Sequence, residues 1–242
     1  MKSGEVMSVS DTLDRILVKM AHHSTAIEGN PLTENDVKSI LIGEIIPKPM
    51  KEKYFYEVRN YKKYVPFLKE SYKEPITIHT IKNTHQLLLQ EIIDNAGAFK
   101  THQNIILGAD FIPTEPYLVT EELKNWCDTL EYRLNISNTM EEKIEVIMDQ
   151  HLRFERIHPF SDGNGRTGRA LIVHSCLQQG IAPIIINKAG RQEYMNLLSE
   201  LDVKGLTNMG IQLSKEENSR MKIINNAELE VQKNTRKGGI SL

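Results

Sequence analysis

The sequence contains little cysteine, no long apolar run and no excess of charge of one sign. Its only two cysteines, Cys127 and Cys176, are too few for a disulfide framework and indicate thiols in a reducing compartment. No apolar run approaches the length of a membrane span, and charged residues interrupt the N-terminal segment where a signal peptide would be apolar. We therefore expect a cytoplasmic protein that has no membrane partner.

The charge balance gives no support for a nucleic-acid partner. Thirty basic and thirty-two acidic residues leave a formal net charge of −2, which excludes bulk attraction to nucleic acid but leaves a local basic patch open. The sequence also lacks a helix-turn-helix pattern or a basic recognition helix. We expect no nucleic-acid partner.

Helical spacing of apolar residues dominates the 242 residues, which suffice for one core with a helical extension. Leu13, Ile16, Leu17 and Met20 predict a first helix that ends near residues 29–31. Capping boxes predict helices that begin after Thr33 and Thr139. Further helices are predicted over residues 54–68, 76–93, 120–134, 191–201 and 216–237, and one more begins at about Gly165, has its apolar positions within 171–177 and ends before Gly180. The predicted fold is all-α, with one small β-hairpin at the β-prone runs 105–107 and 111–112.

A glycine-rich loop between two predicted helices has the character of a phosphate site. It reads HPFSDGNGRTGR over residues 158–169. Gly163, Gly165 and Gly168 allow backbone N–H groups to form an anion nest, and the next helix adds its positive N-terminal end. Arg166 and Arg169 are three residues apart, so they share a helix face from which both can bind phosphate oxygens.

Two further side chains of this loop add chemistry to binding. Asp162 offers the hard oxygen ligand that Mg²⁺ prefers, and His158 is a proton acceptor for a hydroxyl nucleophile. A lone His-Pro or Gly-Asn-Gly is usually only a turn, and the spacing is not that of a Walker loop. The combination nevertheless predicts an enzyme that moves a nucleotide's phosphate group.

The loop resembles the signature of Fic-domain enzymes, HPFx[DE]GNGRxGR. The sequence fills every specified position, at His158, Pro159, Phe160, Asp162, Gly163, Asn164, Gly165, Arg166, Gly168 and Arg169. A weaker resemblance extends over about residues 76–201. It implies a mainly helical Fic fold and adenylylation, in which AMP passes from ATP to a Ser, Thr or Tyr hydroxyl of a target protein, and of the enzyme itself, with release of pyrophosphate.

The resemblance also implies roles for individual residues. His158 would deprotonate the hydroxyl, Asp162 would hold Mg²⁺, and the N–H groups around Asn164 would stabilise the α-phosphate. Arg166 and Arg169 would hold the β- and γ-phosphates. The remaining positions expected to contact ATP in this loop are Gly163, Gly165, Thr167 and Gly168. Relatives that transfer phosphate carry a bulkier basic residue at the position of Gly165, so this glycine implies transfer of AMP.

A second segment, residues 24–29, resembles the inhibitory motif [ST]xxxE[GN] of Fic proteins. Taken alone, Glu28 near the end of the first helix is an ordinary solvated glutamate. N-terminal to the Fic loop, as in class II-like members, Ser24 and Glu28 imply an inhibitory helix over about residues 11–29. Glu28 would then pair with Arg169 and prevent it from holding the γ-phosphate.

Three other expectations depend on the resemblance. Residues 105–112 match the position of the Fic flap, where Leu107 and Gly108 would contact the nucleotide and an extended target segment would dock by strand addition, although a structural hairpin is an alternative. Tyr194 matches a position that contacts adenine, or it is a core tyrosine. The implied domains are a helical extension at residues 1–70, the catalytic domain at 71–205 and a polar tail at 206–242.

Alternatives remain at the level of function. The same fold would also suit transfer of UMP, GMP or a phosphate group, and a non-catalytic ATP-binding partner is a rival from another class. The histidines outside the loop form no metal-ligand pattern. The target protein, its modified side chain and the oligomeric state, a homo-oligomer included, are left open by the sequence.

Overall fold

The computed structural model of the chain describes residues 9–105 and 111–238, and these ranges contain helices and loops but no strand. The α-helices are α1 Val9–Ile27, α2 Glu34–Leu41, α3 Glu52–Arg59, α4 Tyr61–Ser71, α5 Ile78–Leu89, α6 Val119–Ile136, α7 Met140–Ile157, α8 Asn164–Gln178, α9 Arg191–Ser199 and α10 Val203–Gly238. A 3₁₀ turn, Pro116–Leu118, precedes α6. The predicted all-α class is confirmed. None of the helices in the described ranges has the length and apolar character that crossing a bilayer requires.

The predicted capping boxes lie where the helices begin. The Thr33 hydroxyl accepts from the backbone N–H of Asp36 at 3.2 Å. At α7 the Thr139 hydroxyl accepts from the N–H of Glu142 at 3.1 Å, and the Glu142 carboxylate accepts from the N–H of Thr139 at 3.1 Å. Both boxes satisfy N–H groups that have no partner inside the helix.

Helix α5 ends at Leu89 rather than at residue 93, and two other helices differ more from the prediction. Residues 54–68 do not form one helix, because α3 and α4 meet at Asn60. The buried amide of Asn60 donates to the carbonyls of Leu88 and Gln90 at 3.1 and 2.7 Å, so it satisfies the C-terminal end of α5. The last helix begins at residue 203 rather than 216, because packing of α10 on α7 outweighs the low helix propensity of its glycines.

The predicted hairpin lies largely outside the described residues. Residues 106–110, which include Leu107 and Gly108, fall outside the described ranges. The described ends of the segment, Ile105 and residues 111–112, lie in no strand. The flap therefore stays a prediction.

Helix α8 lies between two hydrophobic clusters and joins them. Its Leu171 and Cys176 pack in a cluster with the buried faces of α6 and α7. Its Val173 and Leu177 pack on the other side, in a cluster that contains side chains of α1, α2 and α4. Thirteen of the fifteen residues of α8 are buried, so packing on both sides holds the helix in place.

Helix α7 buries one face, on which Ile144, Ile147, Met148 and His151 are at most 3% exposed. Cys127 and Cys176 form no disulfide, and burial raises the pKa of both thiols to about 12.

The domain boundaries that the sequence predicts near residues 70 and 205 stay predictions.

Candidate active site

The predicted catalytic loop connects the C-terminus of α7 to the N-terminus of α8 and is fixed at both ends. His158 ends α7 with a left-handed backbone, φ 49°, and Gly163 precedes α8 with φ 78°. Between them, Phe160 is buried and its ring stacks on that of His85 at 3.6 Å. The side chain of Asn164 accepts from the N–H of Phe160 at 2.9 Å and donates to its carbonyl at 2.8 Å. The loop is therefore tied to the core through Phe160.

The conformation at Gly163 requires a residue without a side chain. Its φ is in the left-handed region, and a Cβ built on it would lie 2.7 Å from Cγ of Leu89. The turn that begins α8 can thus pack directly on α5. This close packing holds the start of α8 against α5.

His158 has the surroundings of a neutral base. Its Nδ1 lies 3.3 Å from the carbonyl oxygen of Glu155, which can only accept, so the proton belongs on Nδ1 and Nε2 is left as the acceptor. Burial, the largest effect, lowers the pKa of His158 below 6.5, and the charge of Lys100 lowers it further. The Glu155 carbonyl and the carboxylates of Asp162 and Glu28 oppose these effects without reversing them.

Lys100 is a part of the site that the sequence analysis missed. Its backbone N–H donates to the carbonyl of Pro159 at 2.9 Å, directly beside His158. The residue is 4% exposed, and its Nζ has no hydrogen-bond partner among the described residues. Burial lowers the pKa of Lys100, and the charge of Glu115 opposes this without reversing it. A buried ammonium that finds no hydrogen-bond acceptor among the described residues is costly. No local pattern around residue 100 signals this burial.

The N-terminal end of α8 provides backbone N–H donors. No described side chain caps this end. The N–H of Gly163 donates to Oδ1 of Asp162 at 2.6 Å, whereas the first N–H groups inside an α-helix have no partner within the helix. Such an end attracts anions through these donors and through the helix dipole.

Arg169 and Glu28 form the ion pair that the inhibitory motif predicts. Nη2 of Arg169 lies 2.6 Å from Oε1 of Glu28 and donates at 3.0 Å to the carbonyl of Ser24. Nε of Arg169 donates to Oγ of Ser24 at 3.1 Å. Partial desolvation is the largest effect on Glu28, whose side chain is 35% exposed, and it opposes ionisation. The charge and hydrogen bond of Arg169 together with the charge of Arg166 outweigh it and lower the pKa of Glu28.

This ion pair lies against the first turn of α8. A Cβ built on Gly165 would lie 2.7 Å from Oε1 of Glu28 and 2.9 Å from Nη1 of Arg169. Gly165 therefore allows the carboxylate to approach the helix end that would bind an anion. A side chain at this position would meet both groups of the pair.

Arg166 has a carboxylate partner that the sequence analysis did not predict. Its Nη1 lies 3.0 Å from Oε1 of Glu57 on α3, and both side chains are 3% exposed. Asn30 donates to the other carboxylate oxygen of Glu57 at 2.9 Å, and Nη2 of Arg166 lies 3.3 Å from Oδ1 of Asp162. Arg166 and Glu57 are 109 residues apart, so no local motif links them.

Comparison with known proteins matches the segment that contains the loop to a known family. Residues 75–176 match the model of the Fic/DOC family. The chain carries a Fic domain. It is 33% identical to protein adenylyltransferase fic-1 of Caenorhabditis elegans over 181 aligned residues. This alignment covers 72% of this chain and 34% of that protein. It is 28% identical over 183 residues to protein adenylyltransferase Fic of Nematostella vectensis, with 74% and 42% covered. The chain thus spans about a third to two fifths of the length of these relatives.

Solved structures extend the likeness beyond the Fic domain. A Fic domain containing signaling protein from Bacteroides thetaiotaomicron has a TM-score of 0.75 at 21% identity, covering 86% of this chain and 84% of that one. A fragment of Fic-1 from C. elegans has a TM-score of 0.74 at 25% identity, covering 94% and 69%. The helices that precede the Fic domain therefore share in the similarity of fold.

Two residues expected to contact ATP are buried in the core of the protein. Tyr194 is 1% exposed, and its hydroxyl is 2.7 Å from Nε2 of His151. This is the core position considered as the alternative for Tyr194, and its contact with adenine stays a prediction. Thr167 is fully buried, and its backbone N–H donates to the carbonyl of Gly163 at 3.0 Å.

The residues present fit a Mg²⁺ ion that arrives with a nucleotide. The side chain of Asp162, which precedes the N-terminus of α8, is 51% exposed. The described residues include no group of three or more His, Cys, Asp or Glu that would hold a metal without further ligands. One carboxylate, with waters and the phosphates of the substrate, is the donor set that Mg²⁺ normally uses.

Proposed function

We propose that this chain is a protein adenylyltransferase that transfers AMP from ATP to a Ser, Thr or Tyr hydroxyl of a target protein and of itself. The observation that carries the proposal is the N-terminus of α8, which has no side-chain cap, follows the base His158 in the loop and carries two buried arginines in its first two turns. The names of the relatives in C. elegans and N. vectensis support the same activity.

In this proposal the loop residues share the work of a phosphoryl-type transfer. Nε2 of His158 accepts the proton of the attacking hydroxyl. The hydroxyl oxygen forms a bond to the α-phosphorus, the bond from that phosphorus to the bridging oxygen breaks, and pyrophosphate leaves. The backbone N–H groups around Asn164 stabilise the negative charge on the α-phosphate. Arg166 and Arg169 hold the β- and γ-phosphates.

Asp162 would hold Mg²⁺ together with the phosphates, and the ion would offset their negative charge. The carboxylate is already oriented for this role, because its Oδ1 accepts from the N–H of Gly163 and lies 3.3 Å from Arg166. Leu107, Gly108 and Tyr194 are proposed to complete the nucleotide site, and the flap 105–112 to receive the target.

We further propose that Glu28 restrains this activity. Arg169 cannot bind the carboxylate of Glu28 and a γ-phosphate with the same N–H groups. The carboxylate also places negative charge beside Gly165, where negatively charged phosphates are to bind. Ser24 fixes the arginine in the restrained position through two hydrogen bonds. The N-terminal extension, residues 1–70, would in this way act as the inhibitory part of the molecule.

The experiment compares wild type, Glu28→Gly and Glu28→Gly with His158→Ala, each incubated with Mg²⁺ and with ATP labelled at the α- or the γ-phosphate. We expect Glu28→Gly to label itself and proteins of a lysate with the α label only, at a rate roughly tenfold or more above wild type, which corresponds to about 1.4 kcal/mol. The double variant should incorporate no label, because it lacks the base.

Glu200→Gly is the matched control, because Glu200 also follows a helix end and is exposed. It should behave as wild type. Incorporation of the γ label would instead show phosphate transfer, and labelled UTP or GTP as the better donor would show another nucleotidyl group. A folded Glu28→Gly protein that binds ATP but labels nothing would favour a binding protein.

A further inference from the structure

A buried carboxylate from the N-terminal helices lies beside the catalytic loop. Glu57 belongs to α3, and its side chain is 3% exposed. Its Oε1 lies 3.0 Å from Nη1 of Arg166, whose side chain is also 3% exposed. Lys53, one turn earlier on α3, lies 4.0 Å from the same oxygen but is 56% exposed, and exposed ion pairs contribute little. Arg166 is therefore the cation with which Glu57 pairs inside the protein.

A second contact fixes the orientation of this carboxylate. Nδ2 of Asn30 donates to Oε2 of Glu57 at 2.9 Å and to the carbonyl of Tyr54 at 3.1 Å. Oδ1 of Asn30 accepts from the N–H of Leu32 at 3.0 Å, so the amide is held at both ends. Each oxygen of Glu57 thus has a donor. Asn30 follows Glu28 by two residues, so the same contacts tie the segment after the inhibitory helix to α3.

Arg166 connects Glu57 to the carboxylate expected to bind Mg²⁺. Its Nη2 lies 3.3 Å from Oδ1 of Asp162. The N–H of Gly163 donates to the same oxygen at 2.6 Å. Both contacts are made by Oδ1, so Oδ2 keeps its lone pairs for a metal ion. A guanidinium has five N–H groups, so these contacts leave Arg166 others for phosphate.

The charges of these groups determine what Glu57 contributes. A buried guanidinium needs a carboxylate partner, and Glu57 supplies one from outside the loop. Without Glu57, the remaining ion-pair partner of Arg166 among the described residues is Asp162. Asp162 would then pair more closely with Arg166 and would bind a metal ion less well, because the two cations compete for one carboxylate.

We propose that Glu57 is a positioning residue for the metal site, which holds Arg166 so that Asp162 keeps its orientation and its negative charge available for the Mg²⁺ that arrives with ATP. The inference rests on the proposed function and adds to it a second role of the N-terminal extension. The extension restrains the enzyme through Glu28 and supports the binding of Mg²⁺ through Glu57. Glu57 itself contacts neither the metal ion nor the substrate.

Binding of ATP with and without Mg²⁺ tests this role apart from turnover. The full chain carries Glu28→Gly, which releases Arg169, and His158→Ala, which prevents transfer of AMP. Isothermal titration calorimetry gives the Kd of ATP in Mg²⁺ and in EDTA, and the ratio of the two is the gain in affinity from Mg²⁺. We expect Glu57→Gln to lower this gain roughly tenfold, an effect of about 1.4 kcal/mol, by weakening the binding of ATP in Mg²⁺. Binding in EDTA should be unchanged or tighter, because a negative charge near the phosphates has been removed.

Two further variants show whether the effect passes through Asp162 and whether it depends on position. Asp162→Asn should remove most of the gain from Mg²⁺, and Glu57→Gln added to it should change the remainder by less than about twofold. Asn30→Ala removes no charge but leaves Oε2 of Glu57 without its donor. It should lower the gain by roughly threefold, which separates the positioning of Glu57 from its charge.

Glu217→Gln is the matched control. Glu217 is also a buried carboxylate, 1% exposed, and it pairs with Lys19 and Arg220, but it lies on α10. This variant should bind ATP as its parent does, both in Mg²⁺ and in EDTA. Urea unfolding checks that each variant is folded.

Two results would overturn the positioning role while leaving the proposed function intact. One is a gain from Mg²⁺ that Glu57→Gln leaves unchanged. The other is a loss of affinity that is equal in Mg²⁺ and in EDTA, as a purely structural defect would give. If Mg²⁺ does not strengthen the binding of ATP in the parent protein, the proposed role of Asp162 is wrong and that of Glu57 is excluded with it.

Discussion

Burial and the neighbouring ammonium of Lys100 both lower the pKa of His158. A general base acts in its neutral form, which exists above its pKa. In the Glu28→Gly protein, kcat/KM for AMP transfer should therefore rise with pH, reach half of its maximum below 6.5 and be level at neutral pH. Replacement of Lys100 by Met removes a positive charge, so the pKa of His158 rises and the acid limb of the profile moves to higher pH. Rates measured between about pH 5 and 8 report this shift.

Lys100→Arg is the conservative variant for this prediction. It keeps the charge, so its acid limb should stay with that of the parent protein even if its maximal rate falls. Asp162 and the Glu155 carbonyl, which also influence His158, are unchanged in both variants. An acid limb that does not move in a folded Lys100→Met protein would contradict an electrostatic role for the lysine.

Residues of the site differ in how far the sequence predicts them. His158, Asp162 and Arg169 belong to one contiguous pattern, and the contact of Arg169 with Glu28 is predicted because both motifs resemble those of one family. Glu57 and Lys100 carry no such pattern. Their positions arise from tertiary packing, which brings Glu57 to an arginine 109 residues away and buries Lys100 under the loop.

At the scale of elements, the capping box of α7 has a measurable contribution to stability. Thr139 accepts from the N–H of Glu142, and α7 carries His158 at its other end. Thr139→Ala should lower the free energy of unfolding by about 1 kcal/mol, because it leaves a helix N–H without its partner. Urea unfolding measures this change. Thr120→Ala is the control, because Thr120 is an exposed residue in the first turn of α6 and caps no helix. Equal losses in the two variants would contradict the role of the box.

Helix boundaries differ in whether residues close in the sequence determine them. Short-range signals such as Thr33 and Thr139 gave the starts of two helices, because a capping box is formed by residues three apart. The break at Asn60 has no local signal, since the side chain of Asn60 serves carbonyls of α5. The start of α10 at residue 203 was missed because its packing on α7 lies far away in the sequence.

At the scale of the whole molecule, the ion pair of Glu28 and Arg169 couples the N-terminal helices to the Fic domain. Helix α1 packs in the cluster that also contains Val173 of α8, so the two ends of the pair belong to elements that are held together by a shared core. The pKa of Glu28 is lowered in the fold, so this pair stabilises the protein above the usual pKa of a glutamate and the stabilisation is lost as the pH falls. Any ligand that takes Arg169 must replace this contribution.

This coupling predicts how ATP changes thermal stability. With His158→Ala present in both proteins to prevent turnover, ATP and Mg²⁺ should raise the Tm of Glu28→Gly more than that of the protein that retains Glu28. The glycine variant should start from a lower Tm, because Arg169 is 7% exposed and loses its partner, and binding of phosphate restores one. A tenfold difference in Kd corresponds to about 1.4 kcal/mol, or roughly 3–5 °C for a chain of this size.

Thermal unfolding with and without ATP measures the difference, with Glu200→Gly in place of Glu28→Gly as the control. That control should respond to ATP as its parent does, because Glu200 contacts none of the residues that bind phosphate in the proposal. Equal shifts in the Glu28 and Glu200 variants would mean that Glu28 and the phosphates do not compete for Arg169. A larger rise in Tm with ATP that is confined to Glu28→Gly would mean that the N-terminal helix and the nucleotide compete for Arg169. The rise in Tm reports the affinity of ATP for the folded protein, and that affinity is greater when Glu28 is absent.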